Sequence, residues 1–360
     1  MIRREGSMEV QLLDQADARW PALLARVRHD IDHLPGYLAA SDRRRGSTSV
    51  LAHVSDGDDV FAVPLRFIEL PGGMRDAVSA ELRAAPLFTD GTNAAWRSAA
   101  IRALLEHLRE TGTVSLFLRF HPLLEGHRSD FAAYGAIVEH GPTYDIPLDH
   151  PLEEIRANMR RSHRQSIRKF RASDFRFERE PACDDLAAFH ELYELSMQRV
   201  HARDEYHFSL GYFEDVVVAL GEHVALWVLR SGEQIVAAHL VTDCCGIVQG
   251  LYAGVHPDFH SQVPQVGLYD QEIEWAQATG HRDYFIGGAG TELLHQFKAG
   301  VTKVRPVEYS ARIVVDHTEF GRRCEAWQQQ TGLMVGRTDE FFPPYRDGTR
   351  IEAGVGHPAG

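Results

Sequence analysis

The sequence predicts an α+β protein of two domains, each a mixed, mostly antiparallel sheet flanked by helices. Three observations carry that prediction. At 360 residues the chain is long for one core, since domains run at roughly 100–200 residues. The second half orders its periodicities as helix, hairpin, strand, helix and strand, and the first half follows a comparable grammar. The run 252–301, YAGVHPDFHSQVPQVGLYDQEIEWAQATGHRDYFIGGAGTELLHQFKAGV, reads as a strand, an irregular loop, an amphipathic helix, a short strand and a glycine turn closing on Phe297 and Lys298. Two comparable halves suggest a tandem duplication of one fold.

The first domain is expected over 8–148. Trp20, Leu23, Leu24 and Val27 stand at helical spacing, and Pro35-Gly36 marks a turn. Residues 47–53 and 60–68 alternate as two strands around Asp56-Gly57, before a polar loop with Pro71, Gly72 and Gly73. Ile101, Leu104, Leu105 and Leu108 give a helix over 96–108. The apolar run 114–120 is a buried strand, and 144–148 a short one. The second domain is expected over 149–316. It starts with a helix at 153–172 and a strand at 175–178, followed by helices at 186–199 and 211–220. Strands 224–230 and 234–243 form a hairpin through Ser231-Gly232. A strand at 247–254, a helix at 267–278 and strands at 284–286 and 307–315 complete it. The tail, 317–360, has a short helix around 322–330 and an aromatic stretch, FFPPYRDGTR, that suggests an arm packed back on the first domain.

Composition excludes several classes. Hydrophobic content of 44% and charged content of 25% are ordinary for a globular protein, and no apolar run approaches the ~20 residues of a membrane helix. The start, MIRREGSMEVQ, has arginines but no apolar core behind them, so no secretory signal is expected. Residues before Met8 are set aside, since GSM reads as a cloning scar or Met8 as the native start. The four cysteines form no framework; Cys183, Cys244, Cys245 and Cys324 read as buried free thiols, which suits a cytoplasmic location. A net charge of −13 argues against a protein coated in nucleic acid but leaves room for one localised basic patch.

That patch is NMRRSHRQSIRKF at 158–170. Arg156, Arg160, Arg161, His163, Arg164, Arg168, Lys169 and Arg171 crowd one stretch behind Glu153 and Glu154, which suit a helix N-terminus. Arg160, Arg164, Arg168 and Arg171 recur at three- and four-residue steps, so a continuous helix puts them on one face. Stacked like charges destabilise a helix by a few tenths of a kcal/mol per pair, and phosphates would remove that cost. Two readings stand: a solvated face over buried Ile155, Met159 and Ile167, or a site for tRNA or another phosphorylated ligand. His29 and His33, with Asp30 and Asp32, and His256 and His260 have metal-like spacing without a third ligand, so no metal is expected.

Four fragments in order, SLFLRFHPLL (115–124), the basic stretch, MQRVHARDEYHFSLGYF (197–213) and LLHQFKAGV (293–301), resemble the FemAB-like branch of the GNAT superfamily. The resemblance covers about 32–315 and makes each half GNAT-like, with the donor site in the second. Fem-type relatives take aminoacyl groups from tRNA. Their Phe-Lys lysine lies near the donor's reacting end, which implies the same for Lys298. Phe297 would then exclude water or stack on a terminal base. Arg199, Arg203 and Tyr206 match the segment facing the second substrate, with either arginine aligning, and Tyr252 resembles a tyrosine of the same channel. Asp76 falls in a loop where many relatives carry an acid before a Tyr-Gly-Tyr-Gly-Pro run. Here the loop reads MRDAVSAELRAAPLFTDG, which suggests an acceptor unlike cell-wall precursors, or a rebuilt pocket, with Asp76 or Asp90 as candidate base.

CoA-using GNAT proteins carry an R/Q-x-x-G-x-G/A loop whose N–H groups cradle a pyrophosphate. The equivalent here is FHSQVPQVGLYDQ. Gln262 or Gln265 would lead, Pro264 removes a donor, and Gly267 stands alone. The resemblance therefore implies an amide-forming N-acyltransferase with aminoacyl-tRNA as donor, an amine of a small molecule or peptide as acceptor, and no cofactor, acting as a monomer or homodimer. Arg160, Arg161, Arg164, Arg168 and Lys169 would hold the tRNA phosphates. The alternatives are an acyl-CoA-dependent N-acyltransferase and a non-catalytic RNA- or ligand-binding module of the same fold.

Overall fold

The computed structural model describes residues 8–332 and 341–346. The chain forms two compact units, divided between Gly141 and Pro142 and again between Pro306 and Val307. No helix among the described residues is long and apolar enough to cross a membrane.

The first unit begins with strands β1 (Glu9–Leu13), β2 (Ser49–Asp56), β3 (Asp59–Leu70), β4 (Met74–Ser79), β5 (Leu87–Phe88), β6 (Thr113–Phe120) and β7 (Ala136–Pro142). Its helices are α1 (Arg19–Leu24), α2 (Pro35–Arg45), α3 (Ala94–Glu110) and α4 (Arg128–Phe131). Successive strand side chains point to opposite faces, and β3 uses both. Phe61, Val63 and Leu65 pack with Ile101, Leu104 and Leu108 of α3, while Val60 and Ala62 pack with Trp20, Leu23 and Leu38. The predicted turn at Pro35-Gly36 is instead the start of α2. Proline is favoured at the first helical position, where its missing N–H has no partner to lose.

The second unit contains β8 (Tyr144–Pro147), α5 (Leu152–Asn158), α6 (Arg161–Arg171), β9 (Arg176–Glu180), α7 (Leu186–Arg199) and α8 (Leu210–Leu220). It continues with β10 (Val224–Ser231), β11 (Gln234–Cys244), β12 (Ile247–Val255), α9 (Pro264–Ala278), β13 (Asp283–Gly287) and α10 (Glu292–Ala299). The sheet order is β8-β13-β12-β11-β10-β9, and only β12 and β13 run parallel. Ile155, Met159, Ile167, Phe170, Leu268 and Ile273 from the helices bury Trp227, Val241, Val248 and Tyr284 of the sheet. Helix α7 lies directly on β12. A β-carbon on Gly254 would stand 2.7 Å from the carbonyl carbon of Leu192 and the nitrogen of Tyr193, so only glycine permits this approach.

Two strands join units other than those expected. β8 pairs with β13, Ile146 opposite Tyr284, and so belongs to the second unit. The last strand, β14 (Val307–Val314), pairs with β6, Ala311 opposite Leu118, and closes the first unit in the order β1-β2-β3-β4-β6-β14-β7. The boundaries at 148/149 and 316/317 are corrected accordingly. Both strands are apolar enough for either sheet, and partner choice depends on contacts remote in sequence that periodicity does not record. Helix α11 (His317–Thr331) follows in the first unit. Arg323 donates to the Pro71 carbonyl at 2.7 Å, and the Phe342 ring lies 6.4 Å from Phe117.

Candidate functional site

The parallel pair β12 and β13 is short. Ile247, Val248 and Gln249 pair with Asp283, Tyr284 and Phe285, and beyond Gln249 the ladder stops. On the other edge of β12, Tyr252 faces Leu240 and Gly250 faces Val241, which leaves Leu251 as an extra residue in a β-bulge. Bulges twist a strand away from its neighbour. The cleft opens there, floored by residues 250–253 of β12 and Ile286 of β13. Tyr193 and Met197 of α7, Gln265 and Tyr269 of α9, and Phe297 and Lys298 of α10 form its walls. Its volume is only about 50 Å³, too small for a whole nucleotide carrier.

Helix α10 sets the lysine. Thr291 caps it by accepting from the Leu294 N–H at 3.2 Å. One helical length on, Lys298 is 7% exposed, and its ammonium donates to the carbonyls of Ile286 at 2.8 Å and Gly288 at 2.6 Å. Gly287 between them has φ 74°, a conformation that suits glycine and turns both carbonyls toward the helix. Phe297 is half-buried, with its ring 5.1 Å from His163 and 6.1 Å from Tyr269. Tyr252 is buried, and its hydroxyl lies 3.1 Å from that of Tyr212. The cleft therefore brings together Lys298, Phe297 and Tyr252, all singled out from sequence.

The basic stretch differs from expectation. It is two helices, α5 and α6, broken at Met159 and Arg160, both extended. The reason lies in α10: the Arg160 N–H donates to the Gly300 carbonyl at 2.8 Å, which pulls that residue out of helical geometry. A β-carbon on Gly300 would come within 2.5 Å of Arg160 Cδ, so glycine admits this contact too. The break divides the cations. Arg160 reaches the Gln296 carbonyl at 3.4 Å, and Arg164 donates to the Met159 and Ala157 carbonyls at the end of α5. Arg156 and Arg171 pair with Asp270 and Glu274 of α9. Arg161, Arg168 and Lys169 are exposed and form no ion pair among the described residues. His163, on the buried side of α6, is pushed down to about 4 by burial and then by the Arg160 charge.

Other predicted residues lie away from the cleft lining. Arg199 is exposed at the end of α7. Arg203 is exposed, pairs with Glu205 and donates to the Tyr206 hydroxyl at 3.0 Å. Tyr206 contributes its carbonyl, which accepts from the cleft residue Tyr193 at 2.7 Å. Asp76 is not in a loop: it lies in β4, fully buried. Ser115 and Tyr345 donate to its Oδ1 at 2.6 and 2.8 Å, and Arg346 stands 3.1 Å from Oδ2. Burial raises its pKa, and its oxygens serve the docked tail segment. Asp90 is an exposed turn residue. Both ring nitrogens of His33 bond to the chain, to Asp30 and to the Ala85 carbonyl. Cys245 is exposed at φ 45°, where burial was expected, because the β11–β12 turn begins there.

A buried polar network escaped the sequence reading. His239 of β11 places Nδ1 2.9 Å from a carboxylate oxygen of Glu272 on α9, and the Tyr284 hydroxyl donates to the other oxygen. His239 is 1% exposed, and Glu272 and Tyr284 are fully buried. The His239 ring lies 5.1 Å from Tyr269, a cleft residue. Burial, and then the Glu272 charge, raises the pKa of both Tyr269 and Tyr284. The one available signal was a histidine inside the apolar run IVAAHLV. A glutamate on a helix reads as surface.

Residues 157–299 match the family model of the acetyltransferase (GNAT) domain. The fold is a tandem GNAT fold, two mostly antiparallel sheets flanked by helices. The chain resembles the crystal structure of FemX with TM-score 0.67 and 13% identity, over 91% of this chain and 100% of that one. It resembles L-PGS from Bacillus licheniformis with TM-score 0.56 and 14% identity, over 88% of this chain and 95% of that one. A tandem GNAT protein from the clavulanic acid biosynthesis pathway aligns with TM-score 0.50 and 14% identity, over 85% of this chain and 98% of that one. No curated protein matches the chain by sequence.

Proposed function

We propose that the chain is an N-acyltransferase that moves an aminoacyl group from aminoacyl-tRNA to an amine of a small molecule or peptide, forming an amide in the cytoplasm. One observation carries this reading: a buried ammonium, Lys298, lines a cleft that is too small for a whole carrier, so that only a carrier's activated end would enter. The acceptor amine attacks the ester carbonyl, negative charge builds on its oxygen, and the C–O bond to the ribose breaks. A fixed ammonium beside that oxygen stabilises the charge, and one such donor is worth about 10²–10³ in rate. Phe297, Tyr252 and Tyr269 keep water from competing for the ester. The carrier's phosphates stay outside, where Arg161, Arg168 and Lys169 present their charge on α6. Arg160 and Arg164 support that helix through backbone carbonyls. The Fem-type resemblance and the likeness to FemX support tRNA as carrier.

The second reading is an acyl-CoA donor. It is favoured by the start of α9, where Pro264 opens the helix and Gln265 lines the cleft. A helix N-terminus attracts phosphate, although Pro264 withholds one N–H. Incubating the protein with a pool of charged tRNAs and cell extract tests the first reading. The expected result is an RNase-sensitive amide product by mass spectrometry. Calorimetry with acetyl-CoA tests the second, and micromolar binding without any tRNA-dependent product would replace the first by it.

A further inference from the structure

We propose that His239, held by Glu272, receives the proton that the acceptor amine loses, with the Tyr269 hydroxyl as the group that meets the substrate. The proposal rests on the acyl-transfer reading above. No side chain of the cleft lining among the described residues is a carboxylate or an imidazole, so a base supplied by those residues would act from behind the wall. The network behind that wall has the required chemistry. Glu272, as carboxylate, accepts hydrogen bonds from both His239 Nδ1 and the Tyr284 hydroxyl. Nδ1 therefore carries the hydrogen, and a ring in its neutral form keeps its lone pair on Nε2. Nε2 is buried and has no hydrogen-bond partner among the described residues. A buried ring nitrogen without a partner is unusual in a folded protein and calls for a role.

Placement ties the network to the cleft. His239 pairs across the sheet with Ala253, which lines the cleft, so the two share a face of adjacent strands. Gly250 lines it as well, and a β-carbon there would stand 3.6 Å from the Tyr284 hydroxyl and 4.0 Å from the Tyr269 ring. The titratable groups packed about His239 are Glu272 and Tyr269 of α9 and Tyr284 of β13, with Lys298 of α10 in the cleft beyond. Tyr269 and Tyr284 both hold their protons firmly, so Tyr269 relays a proton and does not store one. In the step, the amine nitrogen bonds to the carbonyl carbon and loses a proton to the Tyr269 oxygen. With substrate in place the Tyr269 hydroxyl, which makes no hydrogen bond to Nε2 in this structure, closes on that nitrogen and gives it its own proton. His239 then returns a proton by the same route to the oxygen or sulfur that departs. His239 and Glu272 are positioning residues in this scheme, and Tyr269 is the catalytic contact.

Nitrogen-15 NMR on the histidine-labelled full chain tests the resting state, and turnover with the charged-tRNA pool or acetyl-CoA as donor and cell extract as source of the acceptor amine tests the relay. At pH 8 the wild type is expected to carry hydrogen on Nδ1 of His239 and none on Nε2. His239→Gln and Tyr269→Phe should lower kcat by about 10²–10⁴-fold with KM little changed. Glu272→Gln should alter the pH profile of kcat. Hydrogen on Nε2 at pH 8, or wild-type kcat and pH profile in His239→Gln, overturns the proposal. If the His239 variant does not fold, the wild-type spectrum and Tyr269→Phe decide. If the wild type makes no product from either donor, the acyl-transfer reading falls and the relay falls with it. A wild type that turns over with Nε2 protonated rejects the relay alone.

Discussion

Lys298 donates its ammonium to the Gly288 carbonyl at 2.6 Å, across the turn that ends β13. This bond and its partner to Ile286 fix the charge before any substrate arrives. Preorganised charge is effective because it does not reorient during reaction. Lys298→Ala is expected to lower turnover at least 10²-fold. It also leaves two carbonyls without their donor, a loss of about 1–3 kcal/mol, so the melting temperature should fall while the transition stays cooperative. Unchanged turnover would remove the lysine from the mechanism.

Gly254→Ala tests how the helix layer shapes the cleft. The new methyl group would meet the backbone of Leu192 and Tyr193 at 2.7 Å, and backbone cannot swing aside. Helix α7 has to shift, at a stability loss of about 1–3 kcal/mol. Tyr193 and Met197 ride on that helix and line the cleft. The expected outcome is a lower melting temperature together with a raised KM. A normal melting curve would mean that α7 is not held against β12 as closely as described.

Legibility in the sequence followed locality. The helix expected over 96–108 and the hairpin through Gly232 are present as α3 and β10–β11, because their periodicities are set by neighbours in sequence. The break at Met159 and Arg160 was hidden, since Ile155, Met159 and Ile167 at four-residue multiples fit one continuous helix. What breaks it is the Gly300 carbonyl, 140 residues later in the chain. The loop expected at Asp76 came from resemblance to relatives with an acid there, whereas the residue lies in β4 and its partners Tyr345 and Arg346 come from the tail. That Phe297, Lys298 and Tyr252 line one cleft was legible through resemblance. His239 and Glu272 were not, because a buried carboxylate looks like any other surface acid until its partners are placed.

The cations near α6 are expected to separate into two groups. Reversing Arg161, Arg168 and Lys169 to Glu should weaken tRNA binding and lower its salt slope by about one for each phosphate no longer neutralised, with little change in stability. Replacing Arg156 and Arg171 by Ala should instead act on folding. It strips both partners from Asp270, which is 2% exposed, at up to about 3 kcal/mol after allowing for screening at half-exposed Arg171. Filter binding across a salt series and thermal melting read the two effects. Equal tRNA affinity after the charge reversal would place the carrier elsewhere.

Asp32 gives a pH prediction in the first unit. Burial, then the charges of Asp30 and Glu81, pushes its pKa up to about 8. The folded state therefore holds a proton that the unfolded state releases near pH 4, so stability falls as pH rises from about 4 to about 8. His33 is pushed down to about 4, mainly by burial, and has the opposite sign: stability rises from about pH 4 to 6.5 and then levels. Between pH 4 and 6.5 the two oppose each other. Above 6.5 Asp32 acts without that offset, with a limiting slope of about 1.4 kcal/mol per pH unit. Asp32→Asn should flatten the decline between pH 6.5 and 8 in denaturant titrations. An equal decline in wild type and variant would show that Asp32 is ionised in the fold.

The charge of the cleft lining predicts which acyl groups pass. Lys298 contributes an ammonium, no lining side chain is a carboxylate, and the remaining polar groups there are tyrosines and Gln265. Glu272 stands behind the wall with both oxygens already bonded to His239 and Tyr284. Beyond the α-amino group that every aminoacyl donor carries, a cationic acyl side chain would add a second like charge at low dielectric without a counter-ion, and such a group is costly to bury. A compact neutral side chain meets tyrosine faces and the open edge of β12. Single-amino-acid charged tRNAs should therefore divide, with alanyl, glycyl or seryl donors giving product and lysyl or arginyl donors giving at least tenfold less. Met197→Glu, which sets a carboxylate on the wall, should narrow that gap. A wild-type preference for lysyl-tRNA would mean that the acyl side chain lies outside this cleft.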